Sequence, residues 1–150
     1  DEPGMVQFHQ TLSERTVQLR YFTPLNLNQR VSHERLSRIV FIDYDREIVL
    51  IAETPNVKTG EMEISGVARL NRSYDTFSGE FGIIISDRYQ GLGLGRELLK
   101  RVIEIGRQEN VAFIYGYVHK ENQGMINLAE QMGFSMEENQ DGVLEVTLNL

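Results

Sequence analysis

The chain has 150 residues, of which 41% are apolar and 25% charged, a balance typical of one soluble globular domain spanning residues 1–150. A formal net charge of −7 argues against a nucleic-acid partner, and no apolar run approaches the roughly 20 residues that a membrane helix needs. The absence of cysteine excludes disulfides and thiolate metal sites, and only three histidines, far apart in sequence, are present, so we expect no metal and a cytoplasmic location.

The first half of the sequence predicts helices followed by a meander of strands. The chain begins at Asp1 without a methionine and enters a helical pattern almost at once, so we expect an excised domain whose preceding segment is missing. Three consecutive isoleucines, Ile83 to Ile85, predict a central strand buried on both faces. By apolar spacing and turn residues, the predicted helices cover 5–12, 14–22 and 29–39, and the predicted strands cover 47–52, 62–70 and 76–85.

The second half alternates helices and strands after a glycine-rich break at 91–95. Gly133 follows the last predicted helix at the usual stop position, and Asp141-Gly142 is typical of a hairpin turn. The predicted helices are 94–110 and 122–132, and the predicted strands are 112–118, 134–136 and 143–148.

The glycine-rich segment after the isoleucine strand predicts an anion site. Glycines allow close backbone approach, and the start of the following helix leaves N–H groups unpaired. Residues 87–101 carry four basic and two acidic side chains in an otherwise acidic chain, which suits a phosphorylated ligand. The spacing fits neither the Rossmann nor the Walker pattern. From the spacing alone, a glycine-rich turn without a ligand remains the alternative.

Two motifs together resemble the GNAT acetyltransferase superfamily. Gln90-x-x-Gly93-x-Gly95 after a buried strand is similar to its coenzyme A signature, and Asn122-x-x-Met125-x-x-Leu128 is similar to its second motif. Longer segments at 12–22, 30–36 and 41–47 resemble the GNAT domains of Pat-type protein lysine acetyltransferases. The resemblance implies an α/β (α+β) fold with a mixed, mostly antiparallel twisted sheet, splayed between the family's fourth and fifth strands and flanked by helices. The family's first strand would precede Asp1, so we expect the sheet to be one strand short.

The same resemblance implies acetyl-CoA as the cofactor. The third visible strand would be the family's fourth, so backbone groups of Ile83 and Ile85 would pair with the pantetheine arm. Asn122 would contact that arm, or would act only as a helix N-cap; both can hold together. The pyrophosphate would be held by main-chain N–H groups of Gln90, Gly91, Leu92, Gly93, Leu94, Gly95 and Arg96.

The resemblance also assigns the catalytic base. Glu80 precedes Phe81-Gly82-Ile83 and matches the glutamate of Pat-type enzymes, and we expect its strand to bury it partly. The alternative is a surface-facing strand residue. The tyrosine that often serves as general acid in the family is replaced by Ala129. Solvent, Tyr115, Tyr117 or His119 could substitute, although a surface or capping role is the simpler interpretation of His119.

The implied reaction is acetyl transfer to the lysine ε-amine of a protein, with a bacterial acyl-CoA synthetase as the family's usual target. Two alternatives remain: a non-catalytic acyl-CoA-sensing module, and an acetyltransferase for a small-molecule amine. Tyr21 and Phe22 would cover the acceptor side or simply pack in the core. Asp43, Asp45 and Glu47 would attract a cationic lysine or form a solvated turn.

Overall fold

The structure is a computed structural model that describes residues 2–13, 15–16, 47–73, 77–139 and 142–150. Its helices are α1 (Glu2–Gln10), α2 (Leu94–Gln108) and α3 (Gln123–Gln131), with a short 3₁₀ turn at Asp87–Tyr89. Its strands are β1 (Glu47–Pro55), β2 (Met62–Arg72), β3 (Ser78–Ile85), β4 (Phe113–His119), β5 (Ser135–Glu138) and β6 (Val143–Asn149).

The strands form one six-stranded sheet in the order β1-β2-β3-β4-β6-β5. Within the described ranges, every neighbouring pair is antiparallel except β3 and β4, which run parallel. The expected mixed, mostly antiparallel sheet is therefore confirmed. Its first strand in chain order, β1, lies at one edge.

Helices cover both faces of β3. Alternation along the strand sends Ile84 to one face, where it packs with Met5 and Phe8 of α1. Ile83 and Ile85 point to the other face and pack against the cluster built around Leu98 and Leu99 of α2. The prediction of a central strand is confirmed, since β3 has a neighbouring strand on each side, but Ile83 and Ile85 are only partly buried.

The sheet opens between β3 and β4. The two strands pair over three residues each, and the last pair is Glu80 with Tyr115. Beyond this pair the strands no longer bond to each other. Phe81 fills the base of the gap, and its ring centroid lies 5.5 Å from that of Phe134. The splay expected between the family's fourth and fifth strands is confirmed, since these correspond to β3 and β4 here.

Element boundaries differ modestly from the sequence predictions. The first helix begins at Glu2 rather than near Met5, because Pro3 is tolerated in the first turn of a helix. The chain then leaves the helix after Gln10, although Leu12 stays buried as expected. The helices predicted over 14–22 and 29–39 lie outside the described residues, apart from Arg15 and Thr16. Among the described helices, none has the length and apolar character to cross a membrane.

Candidate active site

The gap between β3 and β4 leads into a cavity of about 660 Å³. Its walls come from the second half of β3, the segment from Tyr89 to Gly93, the first turn of α2, the end of β4 and the cavity-facing side of α3. The predicted site residues that line it are Glu80, Ile83, Ile85, Gln90, Gly91, Gly93, Gly95, Arg96 and Asn122. One cavity thus collects predicted site residues that run from Glu80 on β3 to Asn122 at the start of α3.

The backbone groups of Ile83 and Ile85 face this cavity. Ser86 N–H donates to Ser65 O of β2 at 2.8 Å, and successive residues of a strand point their backbone groups to alternate sides. The groups of residues 81, 83 and 85 therefore face away from β2, toward the gap. Nε2 of Gln90 donates to Ile85 O from that side at 3.0 Å. An arm that paired with the Ile85 carbonyl would meet the Gln90 side chain there.

The glycine segment forms an open cradle at the start of α2. Gly91 and Gly93 have φ values of 76° and 86°, a left-handed conformation that favours glycine, and a Cβ added to either would meet no atom within 4 Å. Gly93 is the N-cap of α2, so the first N–H groups of the helix have no intrahelical partner and carry a partial positive charge. Such a backbone suits the pyrophosphate of coenzyme A.

Leu92 and Leu94 contribute no side chain to the cavity wall. The Leu92 side chain is 73% exposed, and Leu94 packs under the sheet near Gly66 of β2. The family resemblance assigns pyrophosphate binding to the main-chain N–H groups of Leu92 and Leu94, not to their side chains. That assignment stays a prediction. Arg96 lies on the wall and donates from Nη1 to Oε1 of Gln131 at 3.1 Å, which links α2 and α3 beside the cavity.

Glu80 lies where pairing between β3 and β4 ends. The expectation of partial burial is wrong: Glu80 is exposed, because β4 diverges immediately beyond it and leaves the carboxylate at the mouth of the cavity. The pairing register places Tyr115 beside Glu80, and Tyr117 beside Glu145 of β6. These four side chains share the sheet face opposite α2.

Burial and the nearby carboxylates change the acidity of the two tyrosines. Burial raises the pKa of Tyr115, and the negative charge of Glu80 raises it further. Burial also raises the pKa of Tyr117, with Glu145 and then Glu80 as further causes. Both hydroxyls are therefore protonated at neutral pH.

The candidates for a general acid are not equivalent. Ala129 is fully buried in α3, so the family's usual tyrosine position provides no proton donor. Nδ1 of His119 accepts a hydrogen bond from Glu121 N–H at 3.1 Å, as its predicted capping role requires. Tyr117 lies on the cavity wall and is 44% exposed, whereas Tyr115 is not among the lining residues. Of the three side chains considered, Tyr117 is therefore the best placed.

Asn122 has the predicted N-cap role. Its Oδ1 accepts a hydrogen bond from Met125 N–H at 3.2 Å and so begins α3. Because Asn122 also lines the cavity, a contact with the cofactor arm stays a prediction.

Other candidates on the acceptor side fall partly outside the described structure. Tyr21, Phe22, Asp43 and Asp45 lie outside the described residues. Glu47 forms an ion pair with Arg69 and is therefore not a simple solvated turn residue. In the ranges described, no group of three or more His, Cys, Asp or Glu side chains could hold a metal ion.

Sequence reasoning missed the residues that shape the gap. A Cβ on Gly116 of β4 would lie 2.8 Å from the Phe81 ring and 3.1 Å from Phe81 O, so only glycine fits at this point of the gap. A glycine inside a predicted strand was the available signal. Asn127 and Gln131, which line the cavity from α3, had no such signal beyond helical spacing.

Comparison with known proteins identifies the family. The model of the acetyltransferase (GNAT) family matches residues 15–134, which is most of the chain. This chain belongs to the GNAT acetyltransferase family. It is thus an acetyltransferase of the GNAT type, and the expected cofactor, acetyl-CoA, is the one that the family uses.

Two related sequences match this chain over different lengths. Acetyltransferase PA5475 of Pseudomonas aeruginosa is 27% identical over 140 residues, which cover 93% of this chain and 73% of that protein. Spermidine N(1)-acetyltransferase of Escherichia coli K12 is 33% identical over 88 residues. That match covers 58% of this chain and 45% of the enzyme.

Solved structures share the fold. The GNAT domain of PAT from S. lividans superposes with a TM-score of 0.87 at 21% identity, covering 100% of this chain and 85% of that domain. The yncA protein of Salmonella typhimurium, solved with its cofactor acetyl-CoA, superposes with a TM-score of 0.70 at 18% identity and covers 100% and 90%. At these identities, the likeness concerns the fold.

Proposed function

We propose that this protein transfers the acetyl group of acetyl-CoA to the ε-amine of a lysine on a protein substrate, with Glu80 as general base. The observation that carries the proposal is the position of Glu80, at the last residue pair before β3 and β4 separate. The Glu80 carboxylate lies at the mouth of the cavity, next to the part of β3 that no longer pairs with β4.

The chemistry requires a base at this point. A lysine ammonium has an ordinary pKa of about 10.4, so at pH 7 it must lose a proton before its nitrogen can attack a thioester. Glu80 takes that proton, directly or through water, as the new C–N bond forms and the C–S bond breaks. Acetyl-CoA supplies an activated acyl carbon. Positioning of the two reactants suffices for direct attack, so no covalent enzyme intermediate is needed.

The surroundings of Glu80 suit a cationic acceptor. Glu80 and Glu145 place two negative charges beside Tyr115 and Tyr117, whose ring centroids are 5.9 Å apart in an edge-to-face arrangement. Aromatic faces and carboxylates both attract an ammonium group. Tyr117, with its protonated hydroxyl on the cavity wall, is the proposed donor to the departing thiolate.

The segments at 12–22, 30–36 and 41–47, which resemble Pat-type protein lysine acetyltransferases, favour a protein lysine over a small amine. We propose that the protein substrate is an acyl-CoA synthetase and that the reaction takes place in the cytoplasm. The second candidate acceptor is a polyamine, because one relative acts on spermidine. An acyl-CoA-sensing module without turnover is the third possibility.

One assay separates these functions. The protein is incubated with acetyl-CoA and, in turn, an acyl-CoA synthetase, spermidine or no acceptor, and both CoA release and acetylated product are measured. We expect acetyl-lysine on the synthetase, located by peptide mass spectrometry, at a higher kcat/KM than for spermidine. A preference for spermidine would favour the polyamine enzyme, whereas acetyl-CoA binding without turnover on either acceptor would favour the sensor.

A further inference from the structure

A buried carboxylate that the proposed mechanism does not use lies beside the coenzyme A loop. Glu63 of β2 is only 5% exposed. Its Oε1 accepts a hydrogen bond from the Tyr89 hydroxyl at 2.7 Å, and its Oε2 accepts from Asn56 Nδ2 at 3.2 Å and from Arg88 at 3.3 Å. A buried charge is stable only with such partners.

The partners of Glu63 connect two separate parts of the chain. Asn56 stands at the β1–β2 turn, where its Oδ1 accepts from the N–H groups of Lys58 and Thr59 at 2.8 and 3.2 Å. Arg88 and Tyr89 belong to the 3₁₀ turn that leads directly into Gln90 and Gly91. Glu63 therefore ties the turn before the glycine cradle to the β1–β2 hairpin.

The glycine cradle depends on this anchorage because it has few side chains of its own. Ser86 N–H is held by Ser65 O, and Oδ1 of Asp87 accepts from Ser13 N–H and from the Thr16 hydroxyl at 3.0 and 3.1 Å. Tyr89 is held by Glu63 and also lines the cavity. The residues before the cradle are thus tied in place, whereas Gly91 and Gly93 have no side chains with which to fix their own position.

We propose that Glu63 is a positioning residue for coenzyme A: through Tyr89 and Arg88 it holds the 91–96 backbone in the conformation that binds the pyrophosphate. A binding loop that is ordered before the ligand arrives loses less conformational entropy on binding. Removing the anchor should therefore weaken coenzyme A binding, although Glu63 does not line the cavity.

The ionisation state of the cluster is consistent with this role. The hydrogen bond from Tyr89 is the largest effect on Glu63, and together with Asn56 and Arg88 it outweighs burial and lowers the pKa of the carboxyl. The same hydrogen bond raises the pKa of Tyr89. At neutral pH the carboxylate is charged and the hydroxyl protonated, which is the combination that the short hydrogen bond needs.

The test compares coenzyme A binding by calorimetry, without an acceptor, for Tyr89→Phe, Glu63→Gln and the double variant. We expect the dissociation constant to rise about three- to tenfold in each single variant, and in the double variant by clearly less than the product of the two effects, because the two residues share one hydrogen bond. The matched control is Glu61→Gln, which removes an exposed carboxylate from the same hairpin.

Two readouts separate positioning from a loss of fold. Hydrogen exchange at the amides of 91–96 should accelerate in the variants, and KM for acetyl-CoA should rise while kcat stays within twofold. Tyr89→Phe removes a single hydroxyl, so it keeps the test usable if Glu63→Gln fails to fold. Wild-type affinity in folded Tyr89→Phe would overturn the inference. Because coenzyme A alone is the probe, this result is independent of whether lysine is the acceptor.

Discussion

At the scale of single residues, Gly93 and Gly95 contribute to the cradle in different ways. Gly93 has a φ of 86°, so any side chain there strains the backbone even without a ligand. Gly95 lies in the first turn of α2 without a positive φ, and an added Cβ would make an ordinary 3.6 Å contact with Leu128. Gly95 is therefore the better position at which to test cofactor contact.

We predict opposite effects of Gly95→Ala on stability and on binding. Alanine is favoured over glycine in a helix by about 0.5–1 kcal/mol, so the free protein should be at least as stable as the wild type. The methyl group faces the cavity, so affinity for coenzyme A should fall at least tenfold. Thermal unfolding and calorimetry on the same samples measure both effects.

To separate backbone strain from loss of cofactor contact, the stability and the coenzyme A affinity of Gly93→Ala are compared with those of Gly60→Ala. Gly60 has a φ of 73° in the β1–β2 turn, away from the cavity, so its variant reports strain without loss of a cofactor contact. Unchanged affinity in Gly95→Ala would mean that this part of α2 does not approach the cofactor.

At the scale of elements, the gap between β3 and β4 depends on one close contact. Gly116 follows Tyr115, the last β4 residue paired with β3. The Phe81 ring occupies the space where a Gly116 side chain would stand, at 2.8 and 2.9 Å from the ideal Cβ position. The backbone of β4 therefore lies against Phe81 at the point where the strands begin to diverge.

We predict that Gly116→Ala destabilises the fold by about 1–3 kcal/mol, because the methyl group overlaps the Phe81 ring and Phe81 O. The ring packs against Phe134, and the carbonyl belongs to the strand itself. Denaturant unfolding measures the loss. Gly124→Ala serves as the control, since the nearest atom to its added Cβ lies at 4.0 Å. Equal stability of the two variants would contradict the close-contact account.

At the scale of the whole molecule, the sequence predicted most of the architecture for physical reasons. The isoleucine run of β3 and the glycines before α2 are local signals, and each lies where the pattern indicated. The splay beyond Glu80 followed only from the family resemblance, because no periodicity indicates where two strands stop pairing.

Other features depend on long-range contacts and could not be predicted from local patterns. The exposure of Glu80 depends on the path of β4, which is more than thirty residues away in sequence. The hydrogen bonds of Glu63 with Asn56 and Tyr89 join a hairpin to a turn after β3. No spacing of residues in the sequence indicates either the exposure of Glu80 or the hydrogen bonds of Glu63.

The central claim is that Glu80 takes the proton of the attacking amine at the mouth of the cavity. The variant Glu80→Gln keeps the size of the side chain and removes its basicity. The matched control is Glu104→Gln, an exposed carboxylate on α2 that does not line the cavity. Its loss should affect kcat little.

The decisive measurement is the single-turnover rate of acetyl transfer to a lysine substrate at saturating acetyl-CoA, followed from pH 6 to pH 10. General base catalysis contributes about 10²–10⁴-fold, so we predict a loss of that size at pH 7 in Glu80→Gln, with unchanged affinity for coenzyme A. The deficit should narrow as the pH approaches the ordinary lysine pKa of about 10.4, where the amine loses its proton without help. A Glu80→Gln rate within threefold of the wild type at pH 7 would contradict the account.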